Sequence, residues 1–230
     1  MEKRLNYQFE LKLALLEALS IGFFLLLLVL SFFLLKAFDI KLVMTENLAF
    51  SLVLLILWLV LHEILHGLGF YLWDYKKKKK IVFGMKIEKG IFYCMCKTKI
   101  SKTNILIAIL APFIIIGIIP YILAFYFQSF LLLVLAIFNL TGSLGDIVMF
   151  IAILKMPKDI EYLDLDDPTS FNIISKTKLK KKYFSLKLKE ETIYDPKIRA
   201  LDNKFITISP ISKIFLMVFF LVVLLISILL

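Results

Sequence analysis

The sequence predicts an all-α polytopic membrane protein with about five transmembrane helices, a cytoplasmic β-hairpin-like insertion and a small cytoplasmic segment. Three observations predict it. The chain of 230 residues is 61% hydrophobic, with a mean hydropathy of +0.91, whereas soluble domains sit nearer half apolar. The apolar residues gather into long uncharged runs, each near the roughly 20 residues that a helix needs to cross a bilayer. The lysines fall between those runs, so the net charge of +10 reads as membrane topology rather than nucleic-acid binding. A soluble fold would leave too much apolar surface uncovered.

Taken in order, residues 1–17 mix charged and apolar positions, which suits a short cytoplasmic interfacial helix. Residues 18–35 form the first span. Residues 47–72 form the second, followed by Trp73 and Tyr75 as interface anchors and by five lysines, Lys76–Lys80. Those lysines are expected to set topology and to touch anionic lipid. Between 81 and 99 the alternation of apolar and polar residues predicts a hairpin with its turn near Glu88–Gly90, within a loop covering 73–103. Ser101 is placed to cap the next helix.

Residues 104–127 form the third span, with kinks expected at Pro112 and Pro120. Gln128 and Ser129 make a tight turn into the fourth span, 130–154. Residues 155–213 are polar, with strand-like patches at 180–189 and 205–208 and turn signals at Asp167-Pro168 and Asp195-Pro196. A mixed-charge segment of this size is expected to fold only against the membrane core, 18–154. Residues 214–230 form a fifth span. Two cysteines, Cys94 and Cys96, make no disulfide framework. No cleavable signal peptide is expected, because the first run is too long and no small-residue cleavage site follows it.

Basic residues fix the orientation. The segments outside the spans carry three, two, ten, none and thirteen in order. Heavy and light segments alternate, which predicts a multi-pass cell-membrane protein with its N-terminus cytoplasmic and its C-terminus outside.

Within the four longer runs the ionisable side chains are His62, Glu63, His66 and Asp146. Such groups are costly in a bilayer and need partners. His62 and His66 are the chain's two histidines, four apart, so both project from one helix face. With Glu63 they form the H-E-x-x-H pattern, in which two histidines hold Zn2+ and the glutamate is general base. His66 lies seven residues before Trp73, and Asp146 nine before Lys155. Both therefore lie roughly 10–14 Å from the cytoplasmic boundary. A catalytic zinc takes three protein ligands. With no third histidine, Asp146 is the best remaining ligand, although it would also serve to cap a local helix break. Asn139, two turns earlier, is placed to meet a substrate carbonyl or oxyanion, or to bond between helices. Gly142 and Gly145 are expected to let the fourth span approach the second.

These residues predict a zinc metallopeptidase acting on a membrane protein or peptide near the cytoplasmic face. Glu63 moves the proton, and the hairpin is a candidate edge for an extended substrate. The rivals are an inactive zinc-binding scaffold and a small transporter subunit. A transporter needs polar groups through both leaflets, whereas here they cluster at one level.

The H-E-x-x-H helix, followed by a helix carrying Asn139 and Asp146, resembles the site-two-type intramembrane metalloproteases. More closely, the chain resembles a family of bacterial membrane proteins described as "putative zincin peptidases" of unknown function. His62–Gly67, the stretch from Cys96 to Pro112, and Asn139–Asp146 carry the resemblance, over roughly residues 45–170. It implies zinc held by His62, His66 and Asp146, with Asn139 assisting. Two departures stand out: Asp146 lies between Gly145 and Ile147 rather than in a Leu-Asp-Gly motif, and no PDZ-like domain is present.

Overall fold

A computed structural model describes residues 4–43, 47–72, 80–86, 91–165, 170–180, 182–183 and 186–193. Trp73, Tyr75, the first four lysines of the run, the hairpin turn, both Asp-Pro signals, the patch at 205–208 and the fifth apolar run lie outside them.

The molecule is not all-α. A bundle of apolar helices stands on a layer of antiparallel strands. In order, the elements are β1 (Leu5–Leu11), α1 (Leu13–Ala37), α2 (Leu48–Leu72), β2 (Ile81–Lys86), β3 (Ile91–Cys96) and β4 (Ile100–Ser101). Then come α3 (Lys102–Phe113), a π-helical turn (Ile114–Ile118), α4 (Ile119–Tyr126), α5 (Phe130–Gly142) and α6 (Leu144–Leu154). The chain continues through β5 (Glu161–Asp164), β6 (Ser170–Ser175), β7 (Lys182–Tyr183) and β8 (Leu186–Ile193).

Among the described residues, α1, α2 and the continuous helix Lys102–Tyr126 are long and apolar enough to cross a membrane. The predicted fourth span is broken: α5 and α6 meet at Ser143 and are bent by 44°. Taken as one span, the pair makes a fourth crossing.

The first correction concerns residues 1–17. Leu5, Tyr7, Phe9 and Leu11 alternate with Asn6, Gln8 and Glu10. That period of two is a strand signal, not a helical one. β1 lies inside a six-stranded sheet of order β4-β5-β6-β1-β8-β7. It pairs antiparallel with β6, Tyr7 opposite Ile173 and Phe9 opposite Phe171, and with β8 on its other side. The Phe9 and Phe171 rings stack with centroids 5.9 Å apart, and the Tyr7 hydroxyl accepts the Leu179 N–H at 3.1 Å. The segment after the fourth span is therefore no separate module. Its sheet needs a strand from before the first span.

The predicted hairpin forms as a second, two-stranded sheet, β2 against β3, with Phe83 opposite Cys94. Because β4 pairs with β5, the chain before α1, the chain just before α3 and the chain after α6 are bound together at one end of the bundle. One core joins the layers: Phe70, Ala108 and Ile153 of the helices bury with Tyr7, Phe9 and Ile173 of the sheet. A second cluster, including Leu27, Ala124 and Leu140, fills the bundle between α1, α4 and α5.

Close helix approach occurs at glycines other than those expected. A Cβ on Gly69 would lie 2.7 Å from the Ala108 Cα, and one on Gly117 would lie 2.7 Å from a Leu140 methyl. Side chains at Gly142 and Gly145 would meet nothing within 4 Å. Both glycines border a cavity instead of packing against α2.

Candidate metal centre

The α2 helix carries His62 and His66 one turn apart, and the break at Ser143 turns α6 so that Asp146, in its first turn, points at them. His66 Nε2 lies 3.1 Å from His62 Nε2. Asp146 Oδ2 lies 3.2 Å from His62 Nε2 and 3.4 Å from His66 Nε2. Zinc bonds to nitrogen and oxygen near 2.0–2.1 Å, so the ligand atoms of a tetrahedral site stand about 3.3 Å apart. The three observed separations match three edges of that tetrahedron, and the fourth vertex is left to the cavity.

The other ring nitrogens fix what these atoms are. His66 Nδ1 is 2.9 Å from the Ala108 carbonyl, which only accepts, so Nδ1 carries the proton. The Asn139 amide donates through Nδ2 to the Pro112 carbonyl at 3.1 Å. Its oxygen therefore faces His62 Nδ1 at 2.9 Å and receives that proton. As neutral imidazoles of this tautomer, both rings would turn their Nε2 lone pairs to each other and to a carboxylate oxygen. Three lone pairs converging in a buried setting suit a cation, and the donor set of two nitrogens and one oxygen suits zinc.

These residues line one side of a cavity of about 890 Å³. The other side is formed by the first turns of α1, including Glu17 and Ser20, and by β3. Glu63 lines this cavity and also a smaller apolar one of about 220 Å³, closed by Phe83, Gly84 and Tyr93 of the hairpin.

The hairpin register explains how Glu63 is held. The Lys97 N–H donates to the Lys80 carbonyl at 2.8 Å. Antiparallel pairs alternate between bonded and non-bonded, so the amides and carbonyls of Phe92, Cys94 and Cys96 point away from β2. The Cys94 N–H meets the Glu63 carboxylate. The Cys96 N–H donates to Asp164 Oδ2 at 2.7 Å. Burial, then the Glu63 and Asp164 carboxylates and Cys96, push the Cys94 thiol up.

The structure brings His62, His66 and Asp146 together and sets Glu63 and Asn139 beside them. Asn139 is 4% exposed, and both ends of its amide are occupied within the protein. Sequence reasoning missed Asp164 and Tyr162. Asp164 sits in a run of acidic residues that resembles a solvated loop, yet it borders the cavity and its Oδ1 accepts the Tyr162 hydroxyl at 2.5 Å. Burial raises the Asp164 carboxyl to about 6, against the opposing pull of the Tyr162 hydroxyl, the Cys96 amide, Lys97 and His66. The carbonyls of Ala108 and Pro112 were also missed, though a proline inside an apolar helix signals a carbonyl without its usual partner.

Residues 55–160 match the model of a family described as "Putative zincin peptidase", a stretch that holds His62, Glu63, His66, Asn139 and Asp146. A protein of Pyrococcus woesei, described as an uncharacterized 24.7 kDa protein in the gap 5' region, is 34% identical over 113 residues. The match covers 48% of this chain and 49% of that protein, so the chain spans about half the length of the curated relative it matches. No solved structure matches the chain. Residues 55–160 are thus similar to a peptidase family whose name implies zinc, and within them lie three side chains arranged to hold a metal ion.

Proposed function

We propose that the protein is a membrane-embedded zinc metallopeptidase that hydrolyses peptide bonds of a membrane protein or peptide near the cytoplasmic face. The observation that carries this reading is the His62–His66–Asp146 triangle at zinc-ligand spacing, open to a cavity that Glu63 also faces.

Zinc bound by these three residues supplies a Lewis acid that acidifies water and polarises a carbonyl. The chain's own groups do the rest. Glu63, held by the Cys94 amide, takes a proton from water and returns it to the leaving amine. Asn139 acts by fixing the His62 tautomer, and the Ala108 carbonyl does the same for His66, in the way that outer partners orient metal ligands. The outward amide and carbonyl of Phe92, and the Cys94 carbonyl, offer an extended substrate a strand to pair with.

The topology rests on two supports. The strands that border the lysine-rich stretches of the sequence join at one end of the bundle, and four crossings, with the bent pair taken as one, return the chain to the side on which it began. The positive-inside rule makes that side cytoplasmic. Lys76–Lys80 would meet anionic lipid there. The outside C-terminus depends on the fifth apolar run.

The test is purified protein, with zinc content and cleavage of a transmembrane peptide library measured together. Wild type is expected to hold one zinc and cleave, Glu63→Gln to keep zinc but lose cleavage, and His62→Ala to lose both. Zinc with no cleavage by wild type would favour an inactive scaffold. Full zinc retention by His62→Ala would sink the ligand assignment.

A further inference from the structure

We infer that Pro112 and Pro120 are positioning residues, each releasing a backbone carbonyl of the third span to a side chain of α2: Ala108 to His66, and Ile116 to Trp58. In an α-helix each carbonyl accepts the N–H four residues on. Proline has none. The carbonyls four residues before Pro112 and Pro120 are those of Ala108 and Ile116. These two carbonyls accept from α2: His66 Nδ1 reaches Ala108 at 2.9 Å and Trp58 Nε1 reaches Ile116 at 3.1 Å.

The pairing is in register. Eight residues separate the two prolines, the two carbonyls and the two donors, and the helices run antiparallel along their contact. The approach is close enough because Gly69 has no Cβ to strike Ala108. In an apolar bundle, a carbonyl without its helical partner is costly unless a neighbour satisfies it. A kink alone would need neither donor. A π-helical turn lies between the prolines, and both carbonyls face α2. Pro112 serves the site twice, since its own carbonyl accepts the Asn139 amide that faces His62.

The consequence for zinc rests on the peptidase reading above, whereas the sharing of carbonyls does not. Pro112→Ala restores an N–H that competes for Ala108, so His66 loses the partner that fixes its tautomer. Pro120→Ala frees Trp58 instead and leaves the ligands untouched. Both variants gain helix propensity, so both are expected to fold.

The experiment uses the full chain in detergent with Trp73→Phe, which leaves Trp58 as the single indole. Zinc affinity is measured by chelator competition, histidine tautomers by nitrogen-15 NMR without metal, and Trp58 by its emission. Pro112→Ala is expected to weaken zinc by roughly 10–100-fold, the usual effect of losing an outer partner. It should also mix the His66 tautomers and leave Trp58 emission in place. Pro120→Ala is expected to shift Trp58 emission to shorter wavelength and keep wild-type zinc affinity. Equal effects of the two variants on zinc, or a His66 tautomer indifferent to Pro112→Ala, would overturn the inference. If wild type binds no zinc the peptidase reading fails, while the tautomer and emission measurements still decide this one.

Discussion

The helix bundle and the six-stranded sheet treat polar groups in opposite ways. In the bundle polar side chains are few, and four of those described pair across helices: Ser31 with Tyr121, Trp58 with Ile116, His66 with Ala108, and Asn139 with Pro112. In the sheet they are many, and although Ser170 and Ser175 are buried, the charged ones of β8 turn outward. Of the eight residues of β8, one is buried. Arg4–Glu161 and Lys189–Glu10 are half-exposed ion pairs. An outward polar group of the sheet that loses its partner turns to water, but one in the bundle has no water to turn to. The bundle therefore concentrates chemical function in a few contacts, while the sheet holds itself by apolar burial.

Four measurements can break or sharpen that contrast. The largest stability effect belongs to the sheet's apolar face. Phe9→Ala removes a fully buried ring and is expected to cost about 3–5 kcal/mol in denaturant unfolding, with zinc affinity of the folded protein unchanged. A matching loss of zinc affinity would mean that the layers do not divide their roles. Next comes a bundle contact with little bearing on global stability. Asn139→Ala is expected to weaken zinc by about 10–100-fold, because His62 loses its orienting acceptor. Wild-type affinity in that variant would return Asn139 to a substrate role.

Asp164, at the junction of sheet and cavity, gives a smaller effect with a definite sign. Its carboxyl titrates near 6 when folded, above its ordinary 3.8, so the folded state holds the proton more tightly. Linkage then makes this group's contribution to stability largest below its ordinary value and smaller as pH rises through 6. Asp164→Asn should remove that decline, seen as a flatter difference in melting temperature between pH 4 and 6.5. An unchanged difference would mean that the carboxyl is solvated. The smallest effect is expected at Arg4, whose exposed ion pair with Glu161 should be worth less than about 1 kcal/mol. A larger loss on Arg4→Ala would show that the outward face of the sheet is structural after all.

Much of the candidate site was legible because its chemistry is local. His62 and His66 share a helix face by spacing, and their setting in an apolar run made partners necessary. Asp146 could be picked out because so few intramembrane groups compete with it. The hairpin was legible from alternation. The sheet was not, because β1 lies some 160 to 188 residues from the positions it pairs with and, beside a transmembrane run, resembles an interfacial helix. Its own alternation of Leu5, Tyr7 and Phe9 carried the signal. Asn139 keeps two readings from the sequence, a substrate contact or a bond between helices, because spacing reports which face of a helix a residue occupies but not whether its amide is already engaged.

By itself, then, the sequence determined three apolar runs long enough to cross a membrane and the metal-ligand candidates, since each depends on spacing or composition within one stretch. Only the tertiary structure decided that the break at Ser143 aims Asp146 at the histidines, and that Ala108 and Asn139 fix their tautomers. It alone also showed that β1 binds the chain's two halves in one sheet. Those features depend on where separate segments meet, and the pattern within one segment does not say which partner it meets.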